Sequence, residues 1–236
     1  MTEMSVILVF LLVVLGFAGW WLAHQRLTSR PWLEVGPDPV GGPRPTDMPT
    51  QKVALGVFLA VVGAFFALFA SAYLMRMGFG DWRPVPIPRI VWVNTVMLVL
   101  ASVALECALA ADRQHDVPTL RLGLALGAVT TLAFLAGQLV AWRDLAASGY
   151  LVAGNPANSF FYLLTGLHGL HILGGLVALA RATPAAWGAG DARRLRLRLE
   201  LCVAYWHFLL FVWLCLLVLF AGWASDFVSI CRGLLT

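Results

Sequence analysis

Residues 165–175 read TGLHGLHILGG, which places His168 and His171 three residues apart inside an unbroken apolar run. The run covers about 158–181, enough for one helix to cross a bilayer. Five more stretches share this character, at about 5–23, 53–75, 90–111, 120–142 and 197–224. The 236 residues are 61% hydrophobic and 12% charged, with a mean hydropathy of +0.84, so the solvent of this chain is mainly lipid. These runs are continuous and do not alternate in ten-residue strands, which excludes a closed barrel. The fold expected is all-α: a polytopic membrane helix bundle of six transmembrane helices.

The segment between the first two spans holds Pro31, Pro37, Pro39, Pro43, Pro45 and Pro49, and their fixed dihedrals suit an extended linker. The chain therefore divides into residues 1–51, an N-terminal transmembrane helix with its Pro-rich linker, and residues 52–236, a five-helix block. Within the block the connections, near 77–89, 112–119, 143–157 and 182–196, are short, so consecutive helices are antiparallel neighbours. The first segment has no basic residue before it and no small-residue cleavage site, and reads as a retained helix. Arg26, Arg30, Arg44, Lys52, Arg113, Arg121, Arg181, Arg193, Arg194, Arg196 and Arg198 lie at alternate ends of the spans; Arg76, Arg83, Arg89, Arg143 and Arg232 flank the opposite ends. The bias toward basic cytoplasmic loops puts both termini on the non-cytoplasmic side. The net charge of +4 is accounted for by these loop arginines, which can meet anionic headgroups, and gives no sign of nucleic-acid binding.

Polar groups at membrane depth are costly and usually turn toward a protein interior. Within the spans these groups include Asn94, Thr95, Ser102, Glu106, Gln138, Thr165, His168, His171, Glu200 and His207. Glu106 and Glu200 are the carboxylates clearly inside the spans, which makes them candidates for a pair or for proton-linked sites; a hydrogen bond to a histidine or basic neighbour is the plain alternative. His168 and His171, at i and i+3, project from nearly one helical face. They could hold a metal, or one could ligate haem opposite His207, but no second histidine pair completes a two-haem array and no Glu-x-x-His spacing supports a di-iron bundle. Gly166, Gly169, Gly174 and Gly175 favour a thin helix face against which another helix presses, with the imidazoles hydrogen-bonding across the contact. Gly123 with Gly127, and Gly174 with Ala178, are small-xxx-small pairs that suggest further packing faces. Cys107, Cys202, Cys215 and Cys231 lack metal or redox spacing and read as buried free thiols.

Taken in chain order, these motifs resemble the subunit III family of haem-copper cytochrome c oxidases. Asn94-Thr95 with Ser102 and Glu106 is similar to its asparagine-threonine helix. Gly137-Gln138 and Trp142 follow, then Asn155-Pro156, Phe160-Phe161-Tyr162 and TGLHGLH; Glu200 precedes Tyr205-Trp206-His207-Phe208, with Trp213 beyond. The resemblance covers about residues 52–225. It implies an accessory subunit of aerobic respiration with no catalytic centre, metal or haem of its own. Haem and copper would sit in partner subunits, subunit I and subunit II, in a bacterial cytoplasmic membrane. It further implies bound phospholipid, support of proton uptake by the catalytic subunit, and structural or proton-linked roles for Asn94, Thr95, Glu106, Gln138, His168, His171, Glu200, Trp206 and His207. The chain departs from the family pattern at three places: Val61-Val62-Gly63-Ala64 where the first block helix usually carries an acid, Leu209-Leu210 where an aspartate usually follows, and one helix ahead of the block instead of two or none. Two other readings stand beside it: a subunit III-like accessory of a nitric oxide reductase, and an independent membrane haem protein with His168 or His171 and His207 as ligands.

Overall fold

The computed structural model describes residues 50–187 and 192–222, and these are helix or connecting loop, with no strand among the described residues. Helix α1 spans Thr50–Arg76, α2 Ile90–Arg113, α3 Val117–Ala147 and α4 Pro156–Ala182; a single turn, α5, covers Pro184–Trp187, and α6 spans Ala192–Phe220. All but α5 are long and apolar enough to cross a membrane, so the described residues hold five candidate spans. The expected N-terminal span and the Pro-rich linker lie outside the described residues. So does Cys231.

Two compact units divide the chain, residues 1–67 and 68–236. In the first, the described part is the opening of α1, where buried Leu59 and Val62 fall at helical spacing with Phe66. The second holds the end of α1 and all later helices.

Local chemistry sets the helix ends. Pro84, Pro86 and Pro88 keep the loop before α2 extended, and the Asn155 amide pins it by donating to the Arg83 carbonyl at 2.6 Å. Asp116 caps α3, accepting from the Thr119 amide at 3.3 Å with Pro118 in the first turn. Asn155 caps α4 in the same way, accepting from the Ala157 amide at 3.2 Å ahead of Pro156. The reversal between α2 and α3 is tight enough that His115 adopts a φ of 59°. Helices α3 and α6 reach beyond the apolar stretches that announce them, α3 through Arg143 and Asp144 and α6 from Ala192. Hydropathy marks only the part of a helix that lies in hydrocarbon, whereas backbone hydrogen bonding continues into the headgroup layer.

Helix α2 packs most extensively on α3, and α6 lies against both α2 and α4. The α2–α3 contact runs over the small residues the sequence marked. A Cβ built on Gly123 would sit 2.8 Å from the Ala104 carbonyl oxygen and 2.8 Å from Ala108 Cβ. One built on Gly127 would meet the Leu105 side chain at 2.8 Å. The second expected pair behaves otherwise: Gly174 and Ala178 are exposed, with open space beside Gly174. Its neighbour Gly175 makes the contact, 2.8 Å from Tyr205 and 3.0 Å from Trp206 on α6 by the same measure. A one-residue shift turns a helical position by about 100°, which separates a contact from a lipid-facing position.

Candidate functional site

Three tryptophans tie the four-helix core together by one repeated device. A threonine inside a helix can give its hydroxyl hydrogen to the carbonyl four residues back and still accept a hydrogen bond, while an indole N–H only donates. Thr95 on α2 donates to the Val91 carbonyl at 2.9 Å and accepts from Trp213 Nε1 of α6 at 2.9 Å. Thr131 on α3 donates to the Gly127 carbonyl at 2.7 Å and accepts from Trp206 Nε1 of α6 at 3.2 Å. Thr165 on α4 donates to the Phe161 carbonyl at 2.7 Å and accepts from Trp142 Nε1 of α3 at 3.1 Å. The Tyr205 hydroxyl of α6 adds a bond to the His171 carbonyl of α4 at 2.8 Å. Each polar atom in this ladder finds its partner without leaving the protein, as low-dielectric surroundings demand.

The histidines of TGLHGLH part company. His168 is wholly buried, stacked on Trp213 with centroids 5.3 Å apart and met edge-on by Phe134 at 6.0 Å. His171 is half-buried, and its Nδ1 bonds to the Leu167 carbonyl of its own helix at 2.7 Å. The hydrogen bond across the α4–α6 contact thus runs through the backbone oxygen of His171. His207 is exposed, with Nδ1 bonded to the Val203 carbonyl at 2.9 Å. A group buried in the bundle and one on its outer surface cannot face each other across a single haem.

The remaining candidates occupy different environments. Asn94 and Gln138 are buried and meet across α2 and α3, the Asn94 amide donating to Gln138 Oε1 at 3.4 Å, a long bond. Asn94 fits there because residue 137 is glycine; a Cβ at that position would overlap its side-chain oxygen. Glu106 is exposed on α2, whereas Glu200 is half-buried and pairs with Arg196, one turn earlier, at 3.5 Å. Cys202 is buried as expected, but Cys107 and Cys215 are exposed, a correction that follows from their places on the outer stripes of α2 and α6. Thr131, absent from the sequence census, proves to be the acceptor for Trp206; the pair Thr130-Thr131 inside an apolar span was the signal. Just past the end of α1, Asp81 accepts from Arg76, the last residue of that helix, at 2.8 Å, and this hydrogen bond holds the Asp81 carboxyl below the usual carboxylate range. Among the described residues, no three His, Cys, Asp or Glu side chains converge as metal ligands would.

Residues 53–225 match the family described as cytochrome c oxidase subunit III. The chain belongs to that family. It is 30% identical over 175 residues to the probable cytochrome c oxidase subunit 3 of Mycobacterium bovis, covering 68% of this chain and 81% of that one. It is 32% identical over 174 residues to the corresponding Mycobacterium leprae protein, covering 70% and 84%. It is 30% identical over 169 residues to the cytochrome c oxidase subunit 3 of a Synechocystis strain, covering 69% and 71%. This subunit III chain is accordingly a membrane subunit of an oxidoreductase complex, and the nitric oxide reductase and independent haem-protein readings are not favoured.

Proposed function

We propose that this chain is the accessory, non-redox subunit of a haem-copper terminal oxidase, packed in a bacterial cytoplasmic membrane against the catalytic subunit I and subunit II. One observation supports this best: residues 53–225 match the subunit III family, and the interior of the described helices is filled by hydrogen-bonded indoles, with His168 between Phe134 and Trp213. Such a core gives a stiff body. Its role is to brace the catalytic subunit, hold phospholipid on its apolar faces and support proton uptake. Asn94, Thr95, Gln138, His168, His171 and Trp206 maintain the body; Glu106, Glu200 and His207 are the proton-linked or contact-making candidates. The basic residues Arg196 and Arg198 at the start of α6 suit anionic headgroups on the cytoplasmic side. Both termini lie on the opposite side in this reading, and residues 5–23 form a sixth span that either stands in for part of the family's additional helices or is a fused piece of another small subunit.

The test is purification from the native membrane in mild detergent, with copurifying chains identified by mass spectrometry. Haem- and copper-bearing oxidase subunits in fixed ratio with this chain are the expected result. Recovery of the chain alone, or with reductase subunits in their place, overturns the proposal.

A further inference from the structure

The outer surface of the bundle is not uniformly apolar. Between Leu122 and Val140 every fully exposed side chain of α3 is hydrocarbon, and between Leu163 and Ala180 so is every one of α4. On α2 and α6, by contrast, Glu106 and His207 are exposed well inside the spans. Of the described spans, these two helices carry such groups away from their ends, and they are also neighbours, joined by the Trp213–Thr95 bond.

Depth follows from the helix rise. Glu106 lies about 24 Å along from Ile90 and about 10 Å short of Arg113, or about 7 Å from the middle of α2. In a hydrocarbon layer about 30 Å thick, its carboxylate sits about 8 Å inside the boundary, beyond easy reach of headgroup water. Helices α2 and α6 run antiparallel, since three short connections separate them. Taking Thr95 and Trp213 as level, Glu106 is level with residue 202 and His207 stands about 8 Å nearer the opposite side. The exposed rows Val96, Val99 and Val103 on α2 and Leu214 and Val218 on α6 continue the same faces.

Both groups ask for a polar partner. A carboxylate only accepts hydrogen bonds. The Val203 carbonyl also only accepts, so His207 Nδ1 carries the hydrogen of that bond and Nε2 is the ring's second hydrogen-bonding atom. Hydrocarbon cannot satisfy either, and intramembrane ionisable groups left facing lipid are rare because they are costly. From this charge complementarity we infer that the α2–α6 face around Glu106 and His207 docks a transmembrane helix of another subunit of the same complex. That helix presents a basic side chain at the depth of Glu106 and a hydrogen-bonding side chain to His207. The inference rests on the proposed reading that the chain works within a larger membrane complex, and adds which face does the docking and by what contacts.

The experiment uses the intact complex from native membranes. A photo-crosslinking amino acid is placed at Val103 or Leu214, on the proposed face, and at Val129 or Leu170, exposed on α3 and α4. Adducts to a different polypeptide are expected from 103 and 214, and lipid adducts from 129 and 170. Glu106→Leu should reduce the chain retained through a detergent wash at least fivefold, with Glu106→Gln intermediate. Polypeptide adducts from 129 and 170 alone, a dimer of this chain from 103, or undiminished retention of Glu106→Leu would overturn the docking inference while copurification of the unmodified chain left the accessory-subunit reading intact. Failure of the unmodified chain to copurify with haem-bearing subunits would remove that reading first.

Discussion

Replacing Gly123 by alanine should loosen the bundle at its tightest seam. The added Cβ lands 2.8 Å from the Ala104 carbonyl oxygen, 2.8 Å from Ala108 Cβ and 3.1 Å from Ala108 Cα. Ordinary carbon contacts are about 3.5–4.0 Å, so α2 and α3 must part locally by about 0.7–1 Å. Backbone and a methyl group cannot rotate out of the way. Overpacking of this kind costs about 1–3 kcal/mol, offset by about 0.5–1 kcal/mol from replacing a helical glycine. The net loss is about 0.5–2 kcal/mol. Gly127→Ala should be milder, because the atoms it meets at 2.8 and 2.9 Å belong to the Leu105 side chain, which can change rotamer. Gly174→Ala meets nothing within 4 Å and should gain the helical preference, about 0.5–1 kcal/mol. Unfolding in mixed micelles with increasing sodium dodecyl sulfate, followed by fluorescence as Trp206 and Trp213 leave the core, measures all three. A Gly123→Ala chain as stable as Gly174→Ala would refute the close α2–α3 approach.

The same titration addresses the tryptophan–threonine ladder. Trp206→Phe and Thr131→Val, separately and together, should show a coupling of about 0.6 kcal/mol and no more than about 1.7, the range for hydrogen bonds between membrane helices; additive losses would deny the bond. His168→Ala should cost about 2–4 kcal/mol by opening a void between Phe134 and Trp213, yet leave the haem spectrum of the whole complex unchanged. At the Arg76–Asp81 pair the folded carboxyl titrates below its unfolded value near about 3.9, so its contribution is present above that value and is lost as pH falls through the folded one. Hydrogen exchange in residues 77–82, corrected for intrinsic rates, should therefore be flat from pH 5 to 9 and rise only in stronger acid. Asp81→Asn should abolish that acid sensitivity.

The spans were legible because continuous apolar runs admit one backbone solution in lipid, and the Gly123–Gly127 seam because closeness requires small residues. Which face each polar residue takes was less legible. The helices are hydrophobic all round, so periodicity does not separate core from lipid, and His168 and His207 look alike in sequence although one is enclosed and the other outward. Spacing suggested that His168 and His171 share a face, but the core ends between them, with one stacked on Trp213 and the other bonded to its own helix. Thr131 does not stand out in the sequence, because threonine is common in membrane helices and its value depends on Trp206, seventy-five positions later. Glu106 and Glu200 read as equals; their different burial and the Arg196 partner of Glu200 come only from the fold.

The non-redox assignment is tested most directly by dissociating this chain from the purified complex and following where haem and copper go. All haem absorbance and copper should remain with the other subunits, with their spectrum unaltered. Haem travelling with the separated chain in stoichiometric amount would contradict the assignment and return the histidines to the ligand role that their packing argues against.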